Sequence, residues 1–533
     1  MSIDLGALNV QRWMALSRQK LWWMVPKVGN GKSSEDVEDL IPEETQFLLG
    51  KIDDDCYILL LPLVDQLFRT ALYPSSSSSS SLQLSLESGD PSLPGNLGEA
   101  VRVPSSLYIG AGRDPFALTQ RAVAFLSKFH ATFRLREEKS APGSAEVFGW
   151  CTWDAFYSRV SPEGVKRGLD EFANAGIPVK MIILDDGWQS TKNDGEKESE
   201  GGGNDQGFYS NEGDDATDWS KRLSRVEANR KFERLGELID HVKDSQNVTY
   251  VYCWHALLGY WLGVDPKSPD MQAFEPQIRY PCIQPVAESQ SYDARILCVE
   301  PALAWTPSTF SGIGLVNREK AGLFYDNLHG YLGNMRADGV KVDAQSVLSV
   351  LGTGLGGGAA LTRHFVHNME ASAKKHLSSN VIGCMAHASE NLFSFRDTPI
   401  ARASDDFYPK DDRSHLQHVA SCAYNSLFLG EIVIPDWDCF QSLHPAAMLH
   451  AVARGVGGCP IYVSDRVANS DSEILQKLVL PDGTTYRGML PGRPTRDSLF
   501  ASVQTDKRTA LKVWNRNAVN GVVAAFNVQG WGW

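Results

Sequence analysis

The sequence predicts an α/β protein built on a (β/α)8 TIM barrel. A partial N-terminal β-sandwich domain precedes it and a partial C-terminal β domain follows it. Three observations carry this reading. From Val147, strand-like runs alternate with helical stretches for about 320 residues, and eight such runs follow one another. That length exceeds the roughly 250 residues of a plain barrel and leaves room for loop insertions. Most of the runs end in carboxylates, tryptophan or a basic residue, as a strand does where it reaches a catalytic rim. One of them, Gly339–Gln345 (GVKVDAQ), ends in Lys341-x-Asp343, whose side chains share one side of the strand.

Residues 1–110 read as the partial β-sandwich domain, with strands at Glu44–Leu49, Asp55–Val64 and Ser105–Gly110. The serine run Ser75–Ser81 and the sequence up to Gly95 read as low-complexity loop with little apolar surface. Residues 111–146 form a helical linker. Its helix, Phe116–Phe129, is opened by Pro115 and capped by Asp114.

The barrel covers 147–466. Its strands are Val147–Trp153, Val179–Asp185, Val248–Trp254, Gly339–Asp343, Val381–His387, Ala401–Asp406, Glu431–Trp437 and Cys459–Ser464. Helices are expected at Pro162–Ala175, Lys231–Lys243, Lys320–Ala337, Leu361–His376 and Pro445–Arg454. Gln189–Arg222 reads as a mobile insertion on the catalytic face, and Leu262–Thr306 as a lid or acceptor wall. Gly352-x-Gly354-x-x-Gly357 has the form of a dinucleotide loop, but within a barrel it reads as a flexible rim loop. Residues 467–533 start a β domain, with turns at Pro481–Gly483 and Pro491–Pro494. Its last apolar strand, Val522–Val528, is expected to leave an unpaired edge.

Composition narrows the function. The 533 residues are 43% hydrophobic and 22% charged, ordinary for a globular chain with a large core. A net charge of −13 argues against nucleic acid and anionic membranes as partners. Nine scattered cysteines, an odd number, fit reduced thiols, and Met1–Met24 lacks an apolar signal core. The expectation is a cytoplasmic protein without a membrane span.

The strand ends hold Trp150, Cys151 and Asp154; Asp185, Asp186 and Trp188; Trp254; Lys341 and Asp343; Arg402, Asp405 and Asp406; and Asp436 with Asp438. On one rim they converge on one pocket. Carboxylate pairs grip adjacent hydroxyls and indoles cover the apolar face of a sugar ring. Glycosidic chemistry needs two further carboxyls, a nucleophile and an acid/base. Lys341 near Asp343 favours an ionised nucleophile, and Asp406 beside Asp405 disfavours ionisation, which suits an acid/base.

The segments FGWCTWDAFY, ILDDGWQS, WHALLGYW, GVKVDAQ, RASDDFYP and PDWDCFQSLHPAA resemble the plant raffinose synthase and seed imbibition protein group. That group lies in glycoside hydrolase family 36, of the α-galactosidase clan. The resemblance runs from about Trp22 to Trp533. It implies a retaining enzyme with Asp343 as nucleophile and Asp405 as acid/base. It places Asp185 and Asp186 on the galactose 4- and 6-hydroxyls and Lys341 and Arg402 on the sugar. It adds Trp150, Trp188, Cys384 and Asp436 to the pocket; Trp254 and Asp406 complete the binding set. The implied substrates are galactinol, sucrose and raffinose, with no cofactor and no metal. An α-galactosidase that gives the same intermediate to water is the rival reading, and a truncated non-catalytic paralogue a further one. Relative to the family, the chain is expected to lack the first part of the N-terminal β domain and most of the C-terminal one. Cys384-x-x-His387 and Cys253-x-His255 look like fragments of metal sites, but no second spaced pair joins them. No Gly-x-Ser-x-Gly elbow occurs.

Overall fold

The computed structural model describes residues 1–31, 40–75, 81–93, 102–192, 219–283 and 295–530. Eight short strands form the parallel barrel sheet: Phe148–Cys151, Met181–Leu184, Tyr250–Ala256, Gly339–Asp343, Val381–Gly383, Ile400–Arg402, Ile434–Asp436 and Ile461–Val463. Each pairs with the next in chain order as far as the seventh, and the eighth pairs with the first. Side chain and loop, not a ladder, join the seventh to the eighth. Tyr462 Oη donates to Asp436 at 2.7 Å, and Ser464 N donates to the Phe440 carbonyl at 2.9 Å.

All eight expected strands are present. Several stop short of the expected C-terminal end, because the residues that bear the carboxylates leave the ladder and turn into the mouth. Side chains alternate between two environments. Cys151, Met181, Ile183, Tyr252, Ile382 and Tyr462 fill the barrel interior. Ile182, Leu184, Val251, Val340 and Val342 meet the surrounding helices. By that alternation Trp150 points outward. It is fully buried against the helix Pro162–Asn174, where a Cβ on Gly168 would lie 2.1 Å from its ring. Gly168→Ala is therefore expected to cost about 1–3 kcal/mol by overpacking. A denaturation midpoint equal to wild type would show that the ring has room to move.

The N-terminal region is one branched antiparallel sheet of eight strands: Ser2–Ala7, Arg12–Arg18, Met24–Asn30, Thr45–Lys51, Tyr57–Pro62, Arg69–Pro74, Ser81–Glu87 and Leu107–Gly112. Met14, Leu16, Phe47 and Leu59 pack toward the barrel. Trp13, Ala15, Leu48 and Leu72 form a second core enclosed by the sheet itself. Only three of these strands were expected. The loop reading from Ser75 to Gly95 is corrected at Ser81–Glu87, which pairs on both sides. Its Leu82, Leu84 and Leu86 alternate with polar residues and fill the second core. Residues 76–80 and 94–101 lie outside the described residues.

The linker helix runs Pro115–His130, with Asp114 accepting from Ala117 N as expected. The expected set omits Ser414–Ile432, a helix buried nearly all round and so without an amphipathic stripe. The glycine loop is not a free rim loop either. The amides of Gly354 and Gly356 both donate to the Asp90 carboxylate, at 2.9 and 3.4 Å, in the manner of an anion nest. Gly354, Gly356 and Gly357 take positive φ to make it. The fourth βα loop is thus tied to the N-terminal sheet by an internal carboxylate.

Of the two long insertions, 193–218 and 284–294 lie outside the described residues. The described ends form two-stranded sheets, Gln189–Lys192 with Arg222–Ala228 and Gln277–Arg279 with Ile313–Leu315. The C-terminal region contains the three-stranded sheet Arg493–Pro494, Leu511–Arg516 and Gly521–Phe526. Among the described residues its last strand is paired on one side only. No helix of the described residues is long and apolar enough to cross a membrane.

Candidate active site

The inward positions at the C-terminal ends of the strands are Asp185, Trp254, Lys341, Asp343, Arg402 and Asp436. Asp343 ends the fourth strand. Its Oδ2 accepts from the indole N–H of Trp254 at 3.1 Å, and its Oδ1 accepts from Ala344 N at 2.9 Å. Ala344 sits in the left-handed region, φ 52°, and turns the chain sharply after the carboxylate. Such strain is held in place only by well-packed surroundings.

Lys341 departs from the neighbour argument. Its Nζ is 2.7 Å from Asp185 Oδ2, and both side chains are buried. Burial opposes the charge on Lys341, but Asp185 and then other nearby groups, Asp343 among them, outweigh it and hold the ammonium well above its usual range. The strand pair thus links the fourth strand to the second rather than Lys341 to Asp343 directly. Beside it, Asp186 accepts from Tyr260 Oη at 2.8 Å and Trp261 Nε1 at 3.0 Å. Burial pushes its carboxyl up to about 6, against the pull of those two donors.

On the opposite side, Arg402 bridges Asp406 at 3.0 Å and Asp438 at 2.9 Å. Its guanidinium stacks 5.4 Å from the Trp23 ring and lies 3.6 Å from Cys384 Sγ. Asp438, at φ 65°, is lowered to about 2: burial raises it, and Arg402 with Lys341 more than reverses that. Asp406 is pushed up to about 7 by desolvation in the confined mouth and by Asp438, Asp405 and Asp343, against Arg402. Asp405 is part-exposed. Its Oδ1 accepts from Tyr408 Oη at 3.0 Å and Asp406 N at 2.9 Å, and its Oδ2 from Lys20 Nζ at 2.8 Å. Asp343, at the end of the fourth strand, and Asp405, just after the sixth, both act electrostatically on Asp406.

Two of the tryptophans do not join this space. Trp150 is turned outward, as described. Trp188 is fully buried, its indole N–H spent on the Trp254 carbonyl at 2.9 Å. Cys384 packs against Trp23, and its thiol is raised well above the usual range, chiefly by burial and by Asp343. Asp436 is buried under Tyr462. The sequence reading counted Asp438 and Asp154 among the strand-end residues but gave neither a role. It had no means of finding Lys20 and Trp23, which arrive on a turn of the N-terminal sheet, or of choosing Tyr260, Trp261 and Tyr408.

Asp154, buried at the end of the first strand, accepts from the Ser464 hydroxyl at 2.5 Å. Burial raises it to about 7, against that hydroxyl. An unfolded aspartate titrates near roughly 3.9. The stability that goes with the raised value is therefore full below that pH and is lost as pH climbs toward about 7. Asp154→Asn should raise the denaturation midpoint more at about pH 8 than at about pH 5. Equal gains at both would contradict the raised carboxyl.

Asp412, His415 and His444 bring ligand-type atoms within 4.8 Å of one another. Arg454 can only donate, so His450 Nδ1, 2.5 Å away, accepts. The neutral His450 then donates from Nε2 to His415 Nδ1 at 3.0 Å. His415 then carries its own N–H on the buried Nε2, so neither of its ring nitrogens keeps a free lone pair. The arrangement braces the loop that bears Asp405 and does not favour a cation.

The comparisons with known proteins bear on this geometry. A family described as "Raffinose synthase or seed imbibition protein Sip1" matches residues 1–533. The chain belongs to the raffinose synthase and seed imbibition protein family. It is 40% identical to a protein named probable galactinol–sucrose galactosyltransferase 1 of Arabidopsis thaliana, over 99% of this chain and 69% of that one. It is 36% identical to the galactinol–sucrose galactosyltransferase of Oryza sativa subsp. japonica, over 100% and 67%. It is 30% identical to the stachyose synthase of Pisum sativum, over 99% and 70%. Among solved structures, an α-galactosidase from Thermus thermophilus in complex with stachyose is similar at TM-score 0.54 and 14% identity, over 89% of this chain and 90% of that one. A family 36 α-galactosidase from Geobacillus stearothermophilus is similar at TM-score 0.51 and 10% identity, over 97% and 66%. These structural likenesses establish the fold: this member of the raffinose synthase family is a (β/α)8 protein with added β-sheets.

Proposed function

We propose that the protein is a retaining galactosyltransferase that moves an α-galactosyl group from galactinol to sucrose, giving raffinose. Asp343 attacks the anomeric carbon while Asp405 gives its proton to the departing inositol oxygen, and a β-galactosyl-enzyme forms. Asp405 then takes the proton of a sucrose hydroxyl, whose oxygen displaces Asp343. Two inversions restore the α configuration. Asp185, Asp186 and Lys341 hold the galactose hydroxyls on one side, and Arg402, braced by Asp406 and Asp438, on the other. Trp254, itself buried, fixes the nucleophile, and the part-exposed Trp261, its ring centroid 5.3 Å away, offers the aromatic face.

The observation that carries the reading is the match along the whole chain to relatives named for this transfer, together with both required carboxyls at one barrel mouth. Purified protein incubated with galactinol, with and without sucrose, tests it. Sucrose-dependent raffinose of α configuration is expected. Free galactose alone would favour an α-galactosidase, and no consumption of galactinol would leave a non-catalytic paralogue. All nine cysteines are free, six of them buried, which supports a cytoplasmic, reducing setting.

A further inference from the structure

The turn at Gln19–Trp23 joins two strands of the N-terminal sheet and reaches into the barrel mouth. It is held firmly. Gln19 N donates to the Trp23 carbonyl at 3.2 Å, and Arg18 Nε to the Leu21 carbonyl at 2.9 Å. Leu21 N donates to Glu300, His387 N to the Trp22 carbonyl at 3.1 Å, and Met24 N to His387 Nδ1 at 2.9 Å. Loops after the third and fifth barrel strands therefore grip the turn from two sides. At its tip, Lys20 extends to Asp405 at 2.8 Å, with 47% of its side chain exposed on the open side of the mouth. Burial alone would lower the Lys20 ammonium, but Asp405, then Glu300 and Asp406, keep it raised, so it is charged whenever the pocket is.

The two oxygens of Asp405 are not equivalent. Oδ1 already accepts two hydrogen bonds, from Tyr408 and from the Asp406 amide. Proton traffic must therefore use Oδ2, the oxygen that Lys20 occupies. An oxygen that exchanges a proton with Asp405 approaches Oδ2 beside the Lys20 ammonium or in its place. Lys20 cannot retreat far, because its turn is pinned, and it then faces the non-galactosyl part of the substrate. That part is polyhydroxylated in both the donor and the acceptor. Its hydroxyl oxygens are what a displaced ammonium needs.

We propose that Lys20 is an acceptor-binding residue: it guards Asp405 Oδ2 when the acceptor side is empty and hydrogen-bonds a hydroxyl of the second sugar when it is filled. This rests on the transferase reading. The proton balance is unchanged. In the first step Asp405 gives its proton to the leaving oxygen, and the bond from that oxygen to the anomeric carbon breaks as the bond to Asp343 forms. Asp405 is then a carboxylate, and Lys20 pairs with it in the galactosyl-enzyme. A sugar acceptor that displaces Lys20 compensates it with its own hydroxyls. An attacking water brings no second hydroxyl tethered to it to hold the ammonium in place, so Lys20 biases the intermediate toward transfer.

The test is the partition of one intermediate. Wild type, Lys20→Met and Lys20→Arg are given galactinol at several sub-saturating sucrose concentrations, and the ratio of raffinose to free galactose is measured. The ratio does not depend on how much protein is folded. We expect Lys20→Met to lower it by about tenfold, the usual size of a lost charge-assisted hydrogen bond, and Lys20→Arg to restore most of it. If Lys20→Met cannot turn over galactinol, an aryl α-galactoside forms the same intermediate with little need of an acid, and its partition onto sucrose is read instead. Wild type that transfers, with the same ratio in Lys20→Met, overturns the role of Lys20 alone. Wild type that releases only galactose defeats the transferase reading and this inference with it.

Discussion

Asp343→Ala is expected to reduce turnover of galactinol by about 10^4-fold or more, the scale on which removing a covalent nucleophile acts. The argument is geometric. Asp343 lies at the tip of an inward-facing strand position, its two oxygens fixed by Trp254 and the Ala344 amide. Among the described residues the neighbouring carboxyls are already engaged: Asp185 on Lys341, and Asp406 and Asp438 on Arg402. Removing the side chain leaves a space beside the anomeric carbon that a small anion can fill. Added azide should restore part of the turnover of an aryl α-galactoside and give the β-galactosyl azide. Near-normal turnover of galactinol by Asp343→Ala would sink the double-displacement account, and an α-configured azide product would do the same.

Asp405→Ala should separate the two half-reactions. With galactinol, whose leaving oxygen needs a proton, a loss of about 10^2–10^4-fold is expected. With an aryl galactoside bearing a good leaving group, the first step should be nearly intact and the galactosyl-enzyme should accumulate, because no base remains to activate the acceptor. A burst of phenol followed by slow turnover is the signature to look for. Equal losses on both donors would show that Asp405 supports the fold of the mouth and does not move protons.

The barrel was legible because each of its strands is a compact apolar run, and each ends at a chemically conspicuous residue. The parity of Lys341 and Asp343 held, since alternation is a property of the backbone. What could not be read was pairing across the mouth. Sequence neighbours suggested that Lys341 attends Asp343, yet its side chain reaches past the third strand, where its ladder partner is Trp254, to Asp185, 156 residues away in the chain. Trp150 illustrates a different limit. The residue type suits a sugar platform, but the inward position of Cys151 in the same strand forces Trp150 outward. Ser81–Glu87 was hidden by the serine run before it, although its Leu-x-Leu-x-Leu alternation was open to view. Ser414–Ile432 offered no stripe to detect, being buried nearly all round. Lys20 and Trp23 lay beyond sequence reasoning, because nothing local says that a turn in the first strands will meet the sixth barrel strand.

That turn has a consequence for how such proteins can diversify. On the role proposed for Lys20, one group that meets the second sugar comes from the front sheet, whereas the groups proposed to hold galactose come from the barrel. The two halves of specificity are therefore written in separate stretches of the gene. Exchanging Lys20 and its immediate neighbours between paralogues, with Trp23 kept against Arg402, is then expected to shift the choice of the second substrate more than that of the first. A lineage could shift its oligosaccharide product by editing one hairpin while keeping every carboxyl that breaks the bond.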